Sequence, residues 1–356
     1  MKPFKRVVAL LLAICCAGAL SACGGSSSTA NSSQTAAPSS GTPASGDAKY
    51  VFKAGHVLSS EHPYQKGLEK MNELLNERTN GQISLDIYPS SQLGAERELI
   101  ESVQMNTVDI ALVTSPLANF DTSWYLFDIP SIFYTKQHAY DFLDGEYGQA
   151  MLEGLSKVNI KGMAFWETGF FNIFDNQRAI ETPQDLDGMT FRVMENDAYI
   201  TYFSTLGSNP VPMAYSEVFT ALQNGTVNGT LIPIASIYTS QFYTVAPYIT
   251  RSQNWYCPVT FIMSQDSWNS MPEDLQQTFQ ECCNDARDYM RQMLTDSEEE
   301  QVQKMKDEGS IITEVDKAKW REQEADAVEA VKKLLVPAKV PQETLDVIAE
   351  LGKKYQ

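Results

Sequence analysis

Residues 50–88 read YVFKAGHVLSSEHPYQKGLEKMNELLNERTNGQISLDIY, and three patterns follow one another in that stretch. Tyr50 to Gly55 is a short strand-forming run. Pro63 to Arg78 places Leu68, Met71, Leu74 and Leu75 on one face of a helix that closes at Asn80-Gly81. Ile83 to Tyr88 alternates, with Ile83, Leu85 and Ile87 sharing one side. Strand, helix and strand in succession predict an α/β architecture.

The alternation continues toward the C-terminus. The pattern predicts a helix over Ala95 to Gln104, a buried strand over Val108 to Val113, and strands around Gly162 to Trp166 and Thr190 to Val193. Further helices are expected over Ala198 to Leu206 and from a Ser216 cap to Asn224-Gly225. Val103-Gln104-Met105-Asn106-Thr107-Val108 echoes Leu222-Gln223-Asn224-Gly225-Thr226-Val227, each a helix end, a cap and a strand start. Two lobes of similar local plan would produce that echo, and so would the small vocabulary of helix caps. From Pro272 to Glu308 a helical pattern runs almost unbroken to Gly309, and at its full length it would span roughly 55 Å. That exceeds one domain, so the helix is expected to kink or to cross between lobes. Its acidic stretch, Asp296 to Glu300, reads as a solvated face.

The chain of 356 residues is 43% hydrophobic and 20% charged, enough for a sizeable core and, by length, two domains. Its formal charge of −18 argues against nucleic acid or an anionic lipid surface as partner, because both need clustered lysine and arginine. The N-terminus departs from that acidity. Lys2, Lys5 and Arg6 precede an apolar run from Val7 to Leu20 and then Ser21-Ala22-Cys23, a secretory signal too short for a comfortable membrane span. Residues 1–22 therefore read as a signal peptide, whose loss removes three positive charges and leaves a body near −21. Residues 24–47 are dominated by Gly, Ser, Thr, Ala and Pro with Asp47 the sole charge; with Cys23 they read as a disordered tether spanning roughly 27 Å.

Beyond the tether lie Cys257, Cys282 and Cys283, the last two adjacent on a predicted helix, and all three read as free. His56, His62 and His138 share no metal-ligand or catalytic spacing, and no Gly-x-Ser-x-Gly or zinc motif occurs. No cofactor, no metal and no enzymatic activity are expected.

Longer motifs carry a family resemblance. They are His56-Val57-Leu58-Ser59 with His62-Pro63-Tyr64, Thr79-Asn80-Gly81, the run from Tyr88 through Ser90-Ser91-Gln92-Leu93-Gly94 to Leu99, and Pro130-Ser131-Ile132-Phe133. Thr182-Pro183-Gln184-Asp185-Leu186-Asp187-Gly188 and Phe191-Arg192-Val193 follow, and the most specific is Leu206-Gly207-Ser208-Asn209-Pro210-Val211-Pro212-Met213-Ala214-Tyr215-Ser216-Glu217-Val218. Over about residues 48 to 310 the body resembles the solute-binding proteins of tripartite ATP-independent periplasmic (TRAP) transporters, the C4-dicarboxylate-binding or DctP type. Leu20-Ser21-Ala22-Cys23 resembles a bacterial lipobox, which implies acylation of Cys23 and a membrane tie through that lipid alone.

The resemblance implies an α/β, two-lobed periplasmic-binding-protein-like fold, with an interlobe cleft, hinge strands and a long helix spanning both lobes. One lobe would hold residues 48–171 with 260–299, the other residues 172–259 with 300–356. It further implies a monomer outside the cytoplasm that closes on an organic acid and delivers it to the TRAP membrane permease. An ABC-type or sensory solute-binding protein is the alternative, but it should lack the Pro210-to-Val218 motif.

Site residues follow from the same resemblance. By spacing alone Arg192 shares a polar strand face with Thr190 and Met194 and would be an ordinary solvated residue. The resemblance makes it the arginine that clamps the substrate carboxylate, a role its planar, permanently charged fork suits. Two departures stand beside it. A Gly-x-Arg motif carries a second arginine in many members, but here Gly169-Phe170-Phe171 puts Phe171 in that place. The segment Asn228-Gly229-Thr230-Leu231-Ile232-Pro233 puts Ile232 where a ligand-contacting Asn is expected. Both changes exchange a polar contact for an apolar one, so a monocarboxylate with an apolar or aromatic body is expected. Phe170, Trp166, Tyr215 and Val259 are expected in the wall, with Trp255 nearby. Glu96 is expected to face the ligand and accept a hydrogen bond from it, Thr114 and Ser115 to end a strand at the cleft, and Val57 to begin the first loop into it. Glu195 completes the set, and His56 is expected to anchor that first loop.

Overall fold

The structure, a computed structural model, describes residues 48–355. The expected signal peptide, the acylated Cys23 and the tether lie outside the described residues.

A βαβαβ run occurs twice. In the first, β1 (Tyr50–Gly55), α1 (Pro63–Arg78), β2 (Ile83–Tyr88), α2 (Glu96–Gln104) and β3 (Ile110–Val113) place β1 parallel to both β2 and β3. Then come α3 (Lys136–Leu143), α4 (Glu146–Gly154) and a long strand β4 (Ile160–Asp175). The second run comprises β5 (Thr190–Val193), α5 (Asp197–Thr205), β6 (Asn209–Pro212), α6 (Val218–Gln223) and β7 (Gly229–Pro233), with β5 parallel to β6 and β7. The echo between residues 103–108 and 222–227 belongs to this repetition. Asn106 and Gly225 both take a left-handed conformation, with φ of 55° and 70°. The next amides, of Thr107 and Thr226, reach back to the carbonyls of Ser102 and Ala221, each at 2.9 Å. Just beyond, Asp109 and Asn228 use a side-chain oxygen to brace the backbone amides of Lys53 and Thr190, each at 2.8 Å. Backbone pairing thus sets Ala54 in register with Ile110 and Phe191 with Gly229, equivalent steps of the two runs.

The remaining elements join the repeats: α7 (Ile234–Thr239), β8 (Tyr248–Arg251), β9 (Tyr256–Ser264), α8 (Gln265–Asn269), α9 (Glu273–Asp307), β10 (Ile311–Glu314), α10 (Lys317–Gln323), α11 (Ala325–Lys332), α12 (Leu335–Ala338) and α13 (Gln342–Gly352). The ten strands among the described residues run β2-β1-β3-β9-β4-β7-β5-β6, with β8 against β4 and β10 against β8. The connection between repeats is β4. Ile160 to Phe170 pair antiparallel with β9, and from Phe171 onward the partners are β7 and β8. A register shift between Glu167 and Gly169, with Gly169 at φ +101°, marks the change.

The structure extends the short strand expected around Gly162 to Trp166 to sixteen residues, because the run is apolar and buried on both faces and so lacks the alternation that marks a strand's limits. Ser216 does not cap a helix; it lies inside a 3₁₀ turn, Tyr215–Glu217, that feeds α6. The long helix stays continuous for 35 residues and crosses. Phe279, Cys283, Ala286 and Met290 pack in the larger core, while Val302 and Met305 join a second cluster with Phe174, Val218 and Ile249. β10 pairs with β8, and α13 packs on α3, where His138 Nε2 meets the Ile348 carbonyl at 2.8 Å. Cys257, Cys282 and Cys283 are free and buried.

Candidate functional site

Parallel strands aim their C-terminal ends at a common point, the usual place for a ligand in open α/β sheets. Both repeats do so here. Val57 follows β1, Thr114 follows β3, Met194 and Glu195 follow β5, and Ile232 and Pro233 end β7; all border one cavity of about 60 Å³. Glu96 at the start of α2 and Tyr215 just before α6 border it too, and β4 contributes Thr168 and Phe171.

Arg192 is 4% exposed, so the solvated reading fails. Its Nε and Nη2 donate to the Met213 carbonyl at 3.0 and 2.8 Å. Of five guanidinium hydrogens, that leaves both on Nη1 and one on Nη2 uncommitted. Burial lowers its pKa to about 10, with Glu96 acting in the opposite sense, so the group stays charged at neutral pH. Glu96 is half-buried; its Oε2 accepts from the Thr114 amide at 3.1 Å and hydroxyl at 2.7 Å. Burial raises its pKa in spite of those donors and of Arg192.

Of the other polar groups, Glu195 is exposed and the hydroxyls are already paired. Tyr64 and Thr168 share a hydrogen bond of 2.5 Å, and Tyr215 bonds Ser240 at 2.8 Å. Ser236 meets His62 Nε2 at 3.2 Å. Because His62 Nδ1 accepts from the Tyr64 amide at 3.2 Å, Nε2 carries the hydrogen and donates to Ser236. Burial lowers the His62 pKa well below its ordinary value, with His56 adding to the effect, so the ring stays neutral. The rest of the wall is apolar, with Val57, Leu58, Phe171, Met194, Met213, Leu231 and Ile232.

Of the residues expected at the site, Arg192, Phe171, Tyr215, Ile232, Glu96, Thr114, Val57 and Glu195 border the cavity. Trp166, Phe170 and Val259 do not. Trp166 is fully buried against Phe261 and presses on Gly67 of α1, where an added Cβ would lie 2.6 Å from its ring. Successive side chains alternate beyond the register shift at Gly169, so Phe171 borders the cavity and Phe170 turns away, edge-on to Tyr256. Val259 pairs with Trp166 in the sheet interior. Trp255 stacks on Tyr199 at 4.2 Å, and Ser115 turns its hydroxyl to Asp128 at 2.5 Å. His56 is buried and holds Gln65 at 3.0 Å, which anchors its loop. Sequence reasoning missed Tyr64, Thr168, Met194, Met213 and Ser236. Met194 and Met213 adjoin Arg192 and Tyr215 in singled-out motifs and were within reach. Tyr64 and Ser236 arrive from helix starts that only the packing brings to the cavity.

The sequence profile of the bacterial extracellular solute-binding proteins, family 7 (DctP), matches residues 54–334. The C4-dicarboxylate-binding periplasmic protein DctP of Rhodobacter capsulatus is 30% identical over 280 residues, covering 76% of this chain and 83% of that protein. A TRAP periplasmic solute-binding protein from Bordetella bronchispeptica, whose bound density was assigned as pantoate, superposes with a TM-score of 0.79 at 31% identity, covering 84% of this chain and 98% of that one. The sugar acid binding protein DctPAm from Advenella mimigardefordensis, in complex with galactonate, gives 0.82 at 28%, covering 87% and 100%. With one repeated βαβαβ unit on each side of a cavity, and that profile matched over most of its length, the chain belongs to the DctP family of TRAP-transporter solute-binding proteins.

Proposed function

We propose that this extracytoplasmic protein captures a small monocarboxylate with a branched aliphatic body and presents it to the membrane permease of a TRAP transporter. The observation that carries the reading is the cavity's single cation. Arg192 is the one cationic side chain among the described residues bordering it, with three hydrogens free to clamp a carboxylate. Phe171 and Ile232 offer no second donor, and burying an unmatched charge costs several kcal/mol. The apolar wall of Val57, Leu58, Met194, Leu231 and Ile232 suits a branched aliphatic body. The relatives with pantoate and galactonate carry single-carboxylate ligands; the Rhodobacter relative named for C4-dicarboxylates marks the competing, two-ended ligand.

On this reading the lobes divide within β4, where its partners change from β9 to β7 and β8, and close on the ligand by hinge motion. The leader is cleaved before Cys23, whose acylation tethers a monomeric body to the membrane. A thermal-shift screen over carboxylic acids tests the ligand class, since a ligand at a hundred times its Kd adds about 2.7 kcal/mol. Branched monocarboxylates should raise the unfolding midpoint. Tight binding of succinate or malate, with no response to branched acids, overturns the reading. For the tether, Cys23→Ala should move the protein from the membrane to the soluble fraction.

A further inference from the structure

The proposed clamp leaves two carboxylates at the cavity without a bridging cation. Glu96 and Glu195 both border it, on the N-terminus of α2 and just past β5. Glu96 spends Oε2 on Thr114 and keeps Oε1 uncommitted. Glu195 is exposed; its backbone carbonyl is held by Asn119 at 2.9 Å, and among the described residues its carboxylate makes no ion pair or hydrogen bond. Arg192 lies in the field of both carboxylates but bridges neither, its bound hydrogens going to the Met213 carbonyl. The hydroxyls around them are engaged with one another, as Tyr64 with Thr168 and Tyr215 with Ser240. What the protein offers a ligand is therefore one guanidinium edge and two carboxylates, across an apolar wall.

A simple carboxylate answers only the first of these and adds a third negative charge beside Glu96 and Glu195. Resting on the monocarboxylate reading, we propose that the ligand is a zwitterion, an amino acid or amino acid analogue whose carboxylate meets Arg192 and whose ammonium group meets Glu96 and Glu195. An ammonium brings three donors and a positive charge, so it can serve both carboxylates at once; a ligand hydroxyl brings one donor and no charge. The raised Glu96 pKa agrees, because burial, with Glu195 adding to it, outweighs the Thr114 donors and Arg192 and disfavours the ionised form, and a bound ammonium would oppose that.

The test uses matched pairs and the purified protein in isothermal titration calorimetry. One pair is valine against 2-hydroxy-3-methylbutanoate; the other, with a longer span between charges, is 4-aminobutanoate against butanoate. The ammonium member of at least one pair should bind on the order of tenfold tighter, the worth of a charge-assisted hydrogen bond. Glu96→Gln and Glu195→Gln should each narrow that ratio, and the second variant serves if the first fails to fold. A hydroxy or unsubstituted acid that binds as tightly as its amino partner in both pairs overturns the proposal and leaves the monocarboxylate reading intact. So does a ratio that neither glutamine variant changes. Full affinity for both members in Arg192→Ala, or no binding by any member, overturns both.

Discussion

Arg192 is fastened to the Met213 carbonyl by two of its own hydrogens, so its free edge is oriented before a ligand arrives. Preorganisation of this kind lowers the ordering cost of binding. Arg192→Ala should abolish ligand binding in calorimetry while circular dichroism still reports a folded protein. Arg192→Lys, which keeps the charge and loses the fork, should bind measurably but more weakly than the parent. Asp128 makes a separate point at the same scale. It is buried, accepts from Ser115 at 2.5 Å and Asn196 at 2.7 Å, and burial still raises its pKa to about 7. In the unfolded chain it titrates near 3.9, so between about pH 4 and pH 7 the folded state holds the extra proton. Its contribution to stability therefore falls as pH rises through that window and is level above it. Asp128→Asn should flatten that part of the curve of unfolding midpoint against pH. An unchanged slope would mean that another group sets it.

Element packing turns on close approaches that ordinary propensities do not foresee. Glycine inside a helix usually costs about 1 kcal/mol relative to alanine. At Gly67 the sign reverses, since Trp166 occupies the space a Cβ would need. Gly67→Ala should cost about 1–3 kcal/mol by overpacking, read from urea unfolding. The long α9 is held by a buried anchor. Arg291 donates to Asp144 at 2.6 and 3.0 Å and to the Phe165 carbonyl at 2.7 Å, and lies 4.0 Å over the Tyr140 ring. Arg291→Met removes one partner of a mostly buried pair and should lower stability by about 2–4 kcal/mol, somewhat below a fully buried case because Asp144 is partly exposed. At α5 the Asn196 side chain caps the helix through the Ala198 amide and also holds Asp128 and the Ser115 carbonyl, so one residue ties the second repeat to the loop after β3.

For the whole molecule the decisive element is β4, which belongs to both halves of the sheet and changes partners beside the cavity. Gly169 makes that change possible at φ +101°, where other residues are strained. Gly169→Ala should lower stability by about 1–2 kcal/mol and also weaken ligand binding, because Thr168 and Phe171 on either side border the cavity. An affinity equal to the parent's, with stability reduced, would separate the bulge from the site.

The strand–helix–strand order of residues 50–88, the long helix and the repeated turn at 103–108 and 222–227 were legible in the sequence, because each rests on local periodicity or a local cap. The same holds for Arg192, Tyr215 and Glu96, which stand in motifs long enough to recognise. Packing over distance decided the rest. Trp166, Phe170 and Phe171 sit within six residues of one another on β4, yet only Phe171 borders the cavity. Tyr64 and Ser236 reach it from elements far apart in the chain. The sequence by itself determined which elements form and which residue carries the positive charge. Only the tertiary structure decided which neighbours share that charge's cavity, because facing, burial and the pairing of hydroxyls depend on contacts that no local pattern encodes.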